Sequence, residues 1–304
     1  MAGSRAYTGC VEIRPFRDTD AADLVRLATA SARGEADFVL HPLWESDDEL
    51  YAEFELHGIE PEENLLVADD GGGAPLGAAG LLRFPGDTAT ALISPFVARG
   101  ARGKGVGGEL LRSALDLGKR QGLKLATAAI GSRNRSGYAL LAAHGFRPVR
   151  QHFFMRCNRE LQAAGALPAG VELGAAGPTD LPAIHGLYVE ANFPNRTPEA
   201  SQRALLDGRH AHAVARRGNE VVAFVELDMH FAERPFVSFV GVDPSLRDRG
   251  VGTALVRWAL AREFERGARS ALLLLSPANR SALRAYEKVG FRRHRLVDVL
   301  ERGI

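Results

Sequence analysis

The sequence predicts an α+β protein made of two tandem domains of the same fold, each a mixed, mostly antiparallel sheet flanked by helices. One observation is a repeat: RGKGVGGELL at 102–111 recurs as RDRGVGTALV at 247–256, 145 positions later. Another is that strands and helices follow the same order around both copies. The third is the length of 304 residues, above the size at which a single hydrophobic core usually divides.

Each predicted domain begins with a short strand and a helix, because VEIRPFRDTD at 11–20 and VELGAAGPTD at 171–180 end in a potential helix cap. Two strands joined by a turn follow: NLLVADD and LGAAGLLRF in the first domain, HAHAVARR and EVVAFVELDMH in the second. A further strand, TATALISPFV or PFVSFVGV, leads into the glycine-rich phrase. Helices are expected over 108–121 and 253–267, followed by the strands LKLATAAI and SALLLLS. Finally, NRSGYALLAAHGF at 134–146 matches NRSALRAYEKVGF at 279–291.

The predicted domains span 11–158 and 171–304, with a linker rich in Ala, Gly and Pro over 159–170. The spacing between matching segments falls from 160 at the first strand to 145 at the glycine phrase. The first domain therefore carries 15 extra residues between its first helix and its glycine phrase.

Composition and charge are those of an ordinary globular protein and exclude several classes of function. Hydrophobic residues make up 46% and charged residues 25%, and 38 Lys and Arg against 37 Asp and Glu give a net charge of +1. The protein is therefore not expected to have a positive electrostatic field strong enough to attract nucleic acid or an anionic membrane. The sequence has no long apolar run, and its 2 cysteines are too few for a disulfide framework. We expect a cytoplasmic protein without a nucleic-acid or membrane partner.

A strand, a glycine-rich turn and a helix start together form a geometry that binds phosphate. Glycines allow close approach of the backbone, and the first N–H groups of the helix point at the anion. A P-loop is excluded because Lys104 is not followed by Ser or Thr. The dinucleotide fingerprint G-x-G-x-x-G is broken in the second copy by Asp248 and Thr253. Both copies instead share R-x-x-G-x-G.

These segments resemble the GNAT superfamily of acyl-CoA N-acyltransferases. VGVDPSLRDRGVGTAL resembles that family's pyrophosphate-binding motif, and N-x-x-A-x-x-x-Y-x-K-x-G-F at 279–291 resembles its second motif. The resemblance covers nearly the whole chain, as two tandem copies, and implies acetyl-CoA as the cofactor. It implies that the pyrophosphate lies on the backbone of Arg249–Thr253, that the N–H of Val242 polarises the thioester carbonyl, and that Asn279 contacts the pantetheine arm. The implied cofactor-binding residues are Val242, Arg247, Arg249, Gly250, Val251, Gly252, Thr253 and Asn279, with Arg102, Gly105, Gly107 and Asn134 in the first domain.

The two copies differ where the chemistry is expected. The resemblance implies that Tyr286 is the general acid that protonates the departing thiolate. The matching position in the first domain is Leu141, which has no proton to give. We therefore expect the first domain to keep the cofactor phrase without catalysing.

A general base is also needed, because an ammonium must lose its proton before it can attack a thioester. Alternation along the strand at 220–230 places Glu226, Asp228 and His230 on one face. Hairpin alignment puts Leu82, Phe84 and Gly86 at these positions in the first domain. Glu226 is the preferred base, since carboxylates in this region serve as base in several members of the family it resembles. His230 and a water chain to solvent are the alternatives.

The acceptor is expected against the first helix of the second domain and the segment that follows it. Phe193, Arg196 and Asp228 are the candidate substrate residues, since an arginine there can clamp a carboxylate or phosphate. No third ligand accompanies His210 and His212 on their strand face, so no metal site is predicted.

The predicted function is acetyl-CoA-dependent N-acetyl transfer to a primary amine of a small metabolite, catalysed by the second domain. The tandem arrangement is similar to that of acetyltransferases of thiol-cofactor biosynthesis and of antibiotic tailoring or resistance. Two alternatives stay open: transfer to a peptide or protein amine, and acyl-CoA binding by a regulatory protein without turnover. A homodimer also stays open.

Overall fold

The computed structural model of the chain describes residues 11–83, 86–163, 165–191, 197–206 and 208–304. They form two compact units. Of these residues, those up to His152 and Arg295–Ile304 form the first unit, and those from Phe153 to His294 form the second. Each unit holds a mixed, mostly antiparallel sheet with helices packed on it, which confirms the predicted fold class.

The first unit contains five helices and five complete strands among its described residues. In chain order they are β1 (Glu12–Pro15), α1 (Ala21–Arg33), α2 (Asp47–His57), α3 (Pro61–Asn64), β2 (Leu65–Asp69), β3 (Gly77–Leu82), β4 (Ala89–Val97), α4 (Val106–Arg120), β5 (Leu125–Gly131) and α5 (Arg135–Ala143). Strands β1 to β4 pair antiparallel in sequence order, and β4 pairs parallel with β5.

Strand β6 (Arg147–Asn158) carries the chain into the second unit, which repeats the same order. It contains β7 (Val171–Ala175), α6 (Leu181–Glu190), α7 (Pro198–Leu206), β8 (His210–Arg217), β9 (Glu220–Asp228), β10 (Phe236–Val242), α8 (Val251–Glu265), β11 (Ser270–Leu275), α9 (Arg280–Val289) and the start of β12 (Arg292–Gly303). Strands β7 to β10 pair antiparallel, and β10 pairs parallel with β11.

The last strand of each sheet comes from an unexpected part of the chain. Residues 153–158 of β6 pair with β11 in the second unit, and Val297–Gly303 of β12 pair with β5 in the first. The units therefore differ from the predicted bounds 11–158 and 171–304, since 153–158 lie in the second unit and 295–304 in the first. Strand β6 follows α5 and β12 follows the equivalent helix α9. The local sequence therefore does not decide which of the two strands pairs with β5 and which with β11.

The predicted linker, 159–170, also belongs to the second unit. Arg159 donates to the carbonyl of Phe264 at 2.8 Å, and the N–H of Gln162 donates to the carbonyl of Val289 at 3.0 Å. The start of this segment is therefore held against α8 and α9.

Alternation along β9 sends its side chains to two different helix layers. Ala223, Val225 and Leu227 pack in the core under α8 and α9. Phe224 faces the other way and packs with Tyr188 and Ile184 of α6. Glu226 shares the face of Phe224, so it lies on the α6 side of the sheet.

The helices after the glycine phrases begin two residues earlier than predicted. They start at Val106 and Val251 because Gly105 and Gly250 take positive φ angles of 87° and 83° and form the helix N-caps. The final glycine of each phrase therefore lies in the first helical turn. Within the described ranges, no helix is both long enough and apolar enough to cross a membrane.

Candidate active site

Helices α4 and α8 begin without a side-chain cap. Their N-caps are glycines, and the first bonds along these helices are from Glu109 to Gly105 and from Ala254 to Gly250, each at 3.0 Å. The three preceding N–H groups of each helix have no partner within the helix. Those of α8 belong to Val251, Gly252 and Thr253, three of the residues predicted to bind pyrophosphate.

The neighbouring helices α5 and α9 do have side-chain caps, so uncapped N-termini distinguish α4 and α8 from them. The side chain of Asn279 accepts from the N–H of Ala282 at 3.1 Å, and Asn134 accepts from Gly137 at 2.8 Å. Asn279 is exposed, and no hydrogen bond of its amide NH₂ group is found among the described residues. Asn279 can therefore donate to a ligand while it caps its helix.

The opening between β10 and β11 forms the second part of the site. These strands pair only at Phe236 and Leu272 and then separate, since β10 stays with β9 while β11 stays with β6. The N–H of Asp243 donates to the carbonyl of Val222 at 2.8 Å. Because antiparallel hydrogen bonds alternate in direction, the N–H of Val242 faces away from β9, toward the opening. This orientation suits the role predicted for it.

A buried carboxylate lies on the α6 face of β9, with strand β10 between it and this opening. Glu226 is only 1% exposed, and its Oε2 accepts from the hydroxyl of Tyr188 and lies 3.1 Å from Nε2 of His212. Nδ1 of His212 is buried and has no hydrogen-bond partner among the described residues, so we assign the ring proton to Nε2. Two donors thus hold one oxygen of Glu226, and the other, Oε1, is 3.7 Å from Nε2 of His210.

A second acidic group lies two residues along the same face. Nδ1 of His230 is 2.7 Å from Oδ1 of Asp228, which also accepts from the N–H of His230 at 3.0 Å. Burial works to raise the pKa of Asp228, but the hydrogen bonds and charge of His230 outweigh it and hold this pKa below its usual range. Asp228 is therefore ionised at neutral pH.

Tyr286 lies on the opposite side of the sheet from Glu226. It packs against the core under α8 and α9, and its ring meets that of Phe291 edge-on at 5.5 Å. Burial raises the pKa of Tyr286 above its usual range, so the phenol keeps its proton. No described contact joins Tyr286 to Glu226, because the two lie on opposite faces of the sheet.

Residues 9–146 and 180–291 both match the acetyltransferase (GNAT) family. The chain belongs to this family. A mycothiol acetyltransferase of Thermobispora bispora is 33% identical over 280 residues, 82% of this chain and 91% of that protein. A mycothiol acetyltransferase of Nocardia farcinica is 31% identical over 247 residues, 75% of this chain and 78% of that protein.

Solved structures share the tandem fold. A GCN5-related N-acetyltransferase from Sphaerobacter thermophilus has a TM-score of 0.79 at 20% identity, over 96% of this chain and 95% of that chain. A tandem GNAT protein from the clavulanic acid biosynthesis pathway has a TM-score of 0.72 at 16% identity, over 97% and 98%. The protein is thus an acetyltransferase with two tandem GNAT domains.

The arginines that open the two GNAT phrases hold the backbone of the site. Nε of Arg102 donates to the carbonyl of Val97 at 2.8 Å, and Nε of Arg247 donates to that of Val242 at 3.1 Å. Each arginine thereby ties the end of a strand to the turn that follows it. Arg249 and Gly250 lie exposed in that turn.

The first GNAT unit lacks every partner of the buried carboxylate. Strand register, counted from Val97 and Val242, matches Glu226 with Gly80 and not with Leu82. A Cβ on Gly80 would lie 2.6 Å from the carbonyl oxygen of Asn64, so no side chain fits there. The residue opposite Gly80 is Leu65, which corresponds to His212, and Ala28 stands in α1 where α6 has Tyr188. Leu141, in place of Tyr286, is buried in the core.

In the first unit, part of the longer segment between α1 and the glycine phrase occupies the opening between β4 and β5. Val39 forms a bridge with Ile130, and the N–H of Leu40 donates to Ala129 at 2.9 Å. The carbonyl of His41 accepts from Ser94 of β4 at 3.1 Å. We call residues 38–41 the plug, because they fill the gap between the two strands with backbone of the chain itself.

Side chains fasten the plug at both ends. Asn134 donates to the carbonyl of Phe38 at 3.2 Å, which uses the amide that Asn279 has available in the second unit. The buried carboxylate of Glu53 in α2 accepts from Trp44 and lies 3.1 Å from Nδ1 of His41. A cleft of about 350 Å³ remains beside the plug, lined by Arg102, Gly103, Gly105, Gly107 and Gly108 of the phrase and by Asn134.

The predicted site residues thus fall into three groups. The phrase, Val242 and Asn279 surround the start of α8 and the opening beside it; Glu226, Asp228 and His230 lie on the α6 face; and Tyr286 lies on the opposite face. Phe193 and Arg196 lie outside the described residues. The sequence analysis did not identify Tyr188. It considered His212 only as a metal ligand and gave it no role, because no third ligand accompanies His210 and His212. Tyr188, His212 and Glu226 lie on three separate elements, so no short sequence motif connects them.

Proposed function

We propose that the protein is an acetyl-CoA-dependent N-acetyltransferase that acts on a primary amine of a small metabolite. The observation that carries the proposal is the constellation of Tyr188, His212 and Glu226, which exists in the second unit and has no counterpart in the first. Relatives named mycothiol acetyltransferase support a small-molecule acceptor. We infer that catalysis belongs to the second unit.

The start of α8 fits the pyrophosphate of acetyl-CoA. Three N–H groups are available there, and the helix dipole adds partial positive charge. Gly252 lets the start of α8 lie close to the end of β10, because a Cβ there would be 3.1 Å from Cγ2 of Val242. The N–H of Val242 and the amide of Asn279 would hold the pantetheine and thioester end. When bound, acetyl-CoA supplies a thioester carbonyl carbon that an amine can attack.

Glu226 would take the proton of the acceptor amine. Its carboxylate is fixed by Tyr188 and His212, so it can present an oxygen in one direction without reorganising. Its position on the α6 face implies that the amine approaches from that side of the sheet. Asp228 remains a candidate for holding the positive charge of the acceptor.

Tyr286 would donate the proton that the departing thiolate needs. Its raised pKa keeps the phenol protonated across the working range, which an acid requires. Because Tyr286 and Glu226 lie on opposite faces, the leaving thiolate and the attacking amine would approach the opening from different sides.

The first unit would bind coenzyme A without turnover. It keeps the uncapped α4 and the cleft beside it, but it lacks the acid and the base, and the plug fills its opening. Its contribution would be structural or regulatory.

A thiol-release screen with acetyl-CoA and a panel of small primary amines tests the proposed function. The wild type should release coenzyme A with at least one amine and yield an N-acetylated product by mass spectrometry, and Tyr286→Phe should release far less. Binding of acetyl-CoA without turnover on any amine, or equal rates for both proteins, would refute the proposal.

A further inference from the structure

Two histidines on β8 have very different surroundings, although they lie on the same face. The side chain of His212 is 2% exposed and donates to Glu226. The side chain of His210 is 13% exposed, and its Nε2 is 3.7 Å from Oε1 of Glu226. His212 therefore serves to orient the carboxylate, whereas His210 stands between the carboxylate and the more exposed end of the strand.

The groups beyond His210 continue toward solvent. His210 lies directly opposite Asp228 in the register of β8 and β9, which places their Cβ atoms about 5 Å apart. Asp228 in turn contacts His230, and both of these side chains are 15% exposed. Exposure thus rises from 1% at Glu226 to 15% at the Asp228–His230 pair.

We propose that His210 carries the proton from Glu226 to the Asp228–His230 pair, and so to solvent, in each cycle of acetyl transfer. The inference rests on the proposed function, because it needs Glu226 as the base. It adds a route for a proton that Glu226, at 1% exposure, cannot pass directly to bulk water.

The proton balance of this route is simple. An N–H bond of the amine breaks and its proton forms an O–H bond with Glu226. That O–H bond then breaks as Nε2 of His210 takes the proton, and the ring releases a proton from Nδ1 toward Asp228, His230 or water. An imidazole suits this step because it can take a proton at one nitrogen and lose one from the other. Every group then has its starting charge, and exchange of the ring protons of His210 with water restores an unprotonated Nε2 before the next cycle.

The distance of 3.7 Å between Nε2 of His210 and Oε1 of Glu226 is longer than a hydrogen bond. Catalytic hydrogen bonds are often long before substrate binds, and a small rotation of the His210 side chain would close this gap. His212 offers no such route, because its Nδ1 is buried and has no partner in the described part of the chain.

The test is chemical rescue of His210→Ala in the full chain, with acetyl-CoA and an amine that the thiol-release screen identifies. We expect kcat to fall by about 10–10²-fold with little change in KM, the low end of the effect of proton-transfer residues. Added imidazole should restore most of the rate, since the vacated site is partly exposed. The loss caused by His212→Ala should resist imidazole, because that site is buried.

A second variant guards against misfolding. His210→Gln keeps a similar size and should show a lower kcat and a larger solvent deuterium isotope effect than the wild type. A His210→Ala variant with wild-type rates, or a loss that imidazole leaves unchanged together with an unaltered isotope effect in His210→Gln, would overturn the relay. Wild-type turnover in the same assay separates this outcome from failure of the proposed function, in which the wild type itself releases no coenzyme A.

Discussion

Nε2 of His212 lies 3.1 Å from Oε2 of Glu226, and both side chains are almost completely buried. A carboxylate so far from water is costly unless hydrogen bonds hold it. His212 and Tyr188 supply these bonds from two different elements, β8 and α6. The same strand register in the first unit joins Leu65 to Gly80, so the arrangement is a property of the second unit alone.

Glu226→Gln should lower kcat by about 10²–10⁴-fold, the usual effect of removing a general base. Glutamine has nearly the same size and can still accept from Tyr188 and His212, so the fold should survive. Steady-state release of coenzyme A measures the effect, and circular dichroism checks the fold. A kcat within a few-fold of wild type would mean that solvent or another group removes the proton.

Tyr286→Phe should lower kcat by a similar factor, about 10²–10⁴-fold, because the thiolate would leave without a proton donor. The ring and its contact with Phe291 are kept. Tyr138→Phe is the matched control, since Tyr138 is 37% exposed and belongs to the first unit. Equal rates for Tyr286→Phe and Tyr138→Phe would remove Tyr286 from the mechanism.

The pH dependence of kcat should have no alkaline loss from Tyr286 below pH 10, the ordinary phenol pKa, because burial raises this pKa. The free energy of unfolding should also depend on the ionisation of Tyr286 at alkaline pH. The folded state keeps the phenol neutral, so its contribution is complete below the unfolded pKa of about 10 and is lost as the pH rises through the folded pKa. Denaturant unfolding of wild type and Tyr286→Phe above pH 10 measures this. Equal slopes of unfolding free energy against pH would contradict it.

Coenzyme A should still stabilise a Gly252→Asp variant, because the first unit keeps its own uncapped helix and cleft. Acetyl-CoA should raise the melting temperature of this variant by the same amount as coenzyme A, since the plug occupies the opening of the first unit where the thioester would lie. Thermal denaturation with each ligand measures both effects, and the double variant with Gly107→Asp is the control. No shift in Gly252→Asp, or a shift that persists in the double variant, would refute coenzyme A binding by the first unit.

Local patterns predicted much of this structure. The glycine phrases and the two strands of each hairpin are each encoded within a few residues, and the structure contains all of them. Leu141 in place of Tyr286 also followed from simple alignment of the repeat.

Features that depend on long-range packing could not be predicted in this way. The exchange of β6 and β12 was hidden because both strands follow equivalent helices. Hairpin alignment matched Glu226 with Leu82, whereas the strand register counted from Val97 and Val242 matches it with Gly80. The plug appeared only as a difference in length, because the bridge from Val39 to Ile130 joins segments 91 positions apart.

The central claim is that one unit catalyses and the other does not, and the same substitution at matched glycines tests it most directly. Gly252→Asp and Gly107→Asp each place a carboxylate at the start of a GNAT helix, where it repels phosphate. With acetyl-CoA and an accepted amine, Gly252→Asp should lose nearly all release of coenzyme A, while Gly107→Asp should stay within a few-fold of wild type. The reverse pattern, with a folded Gly107→Asp inactive and Gly252→Asp active, would assign catalysis to the first unit and contradict the account.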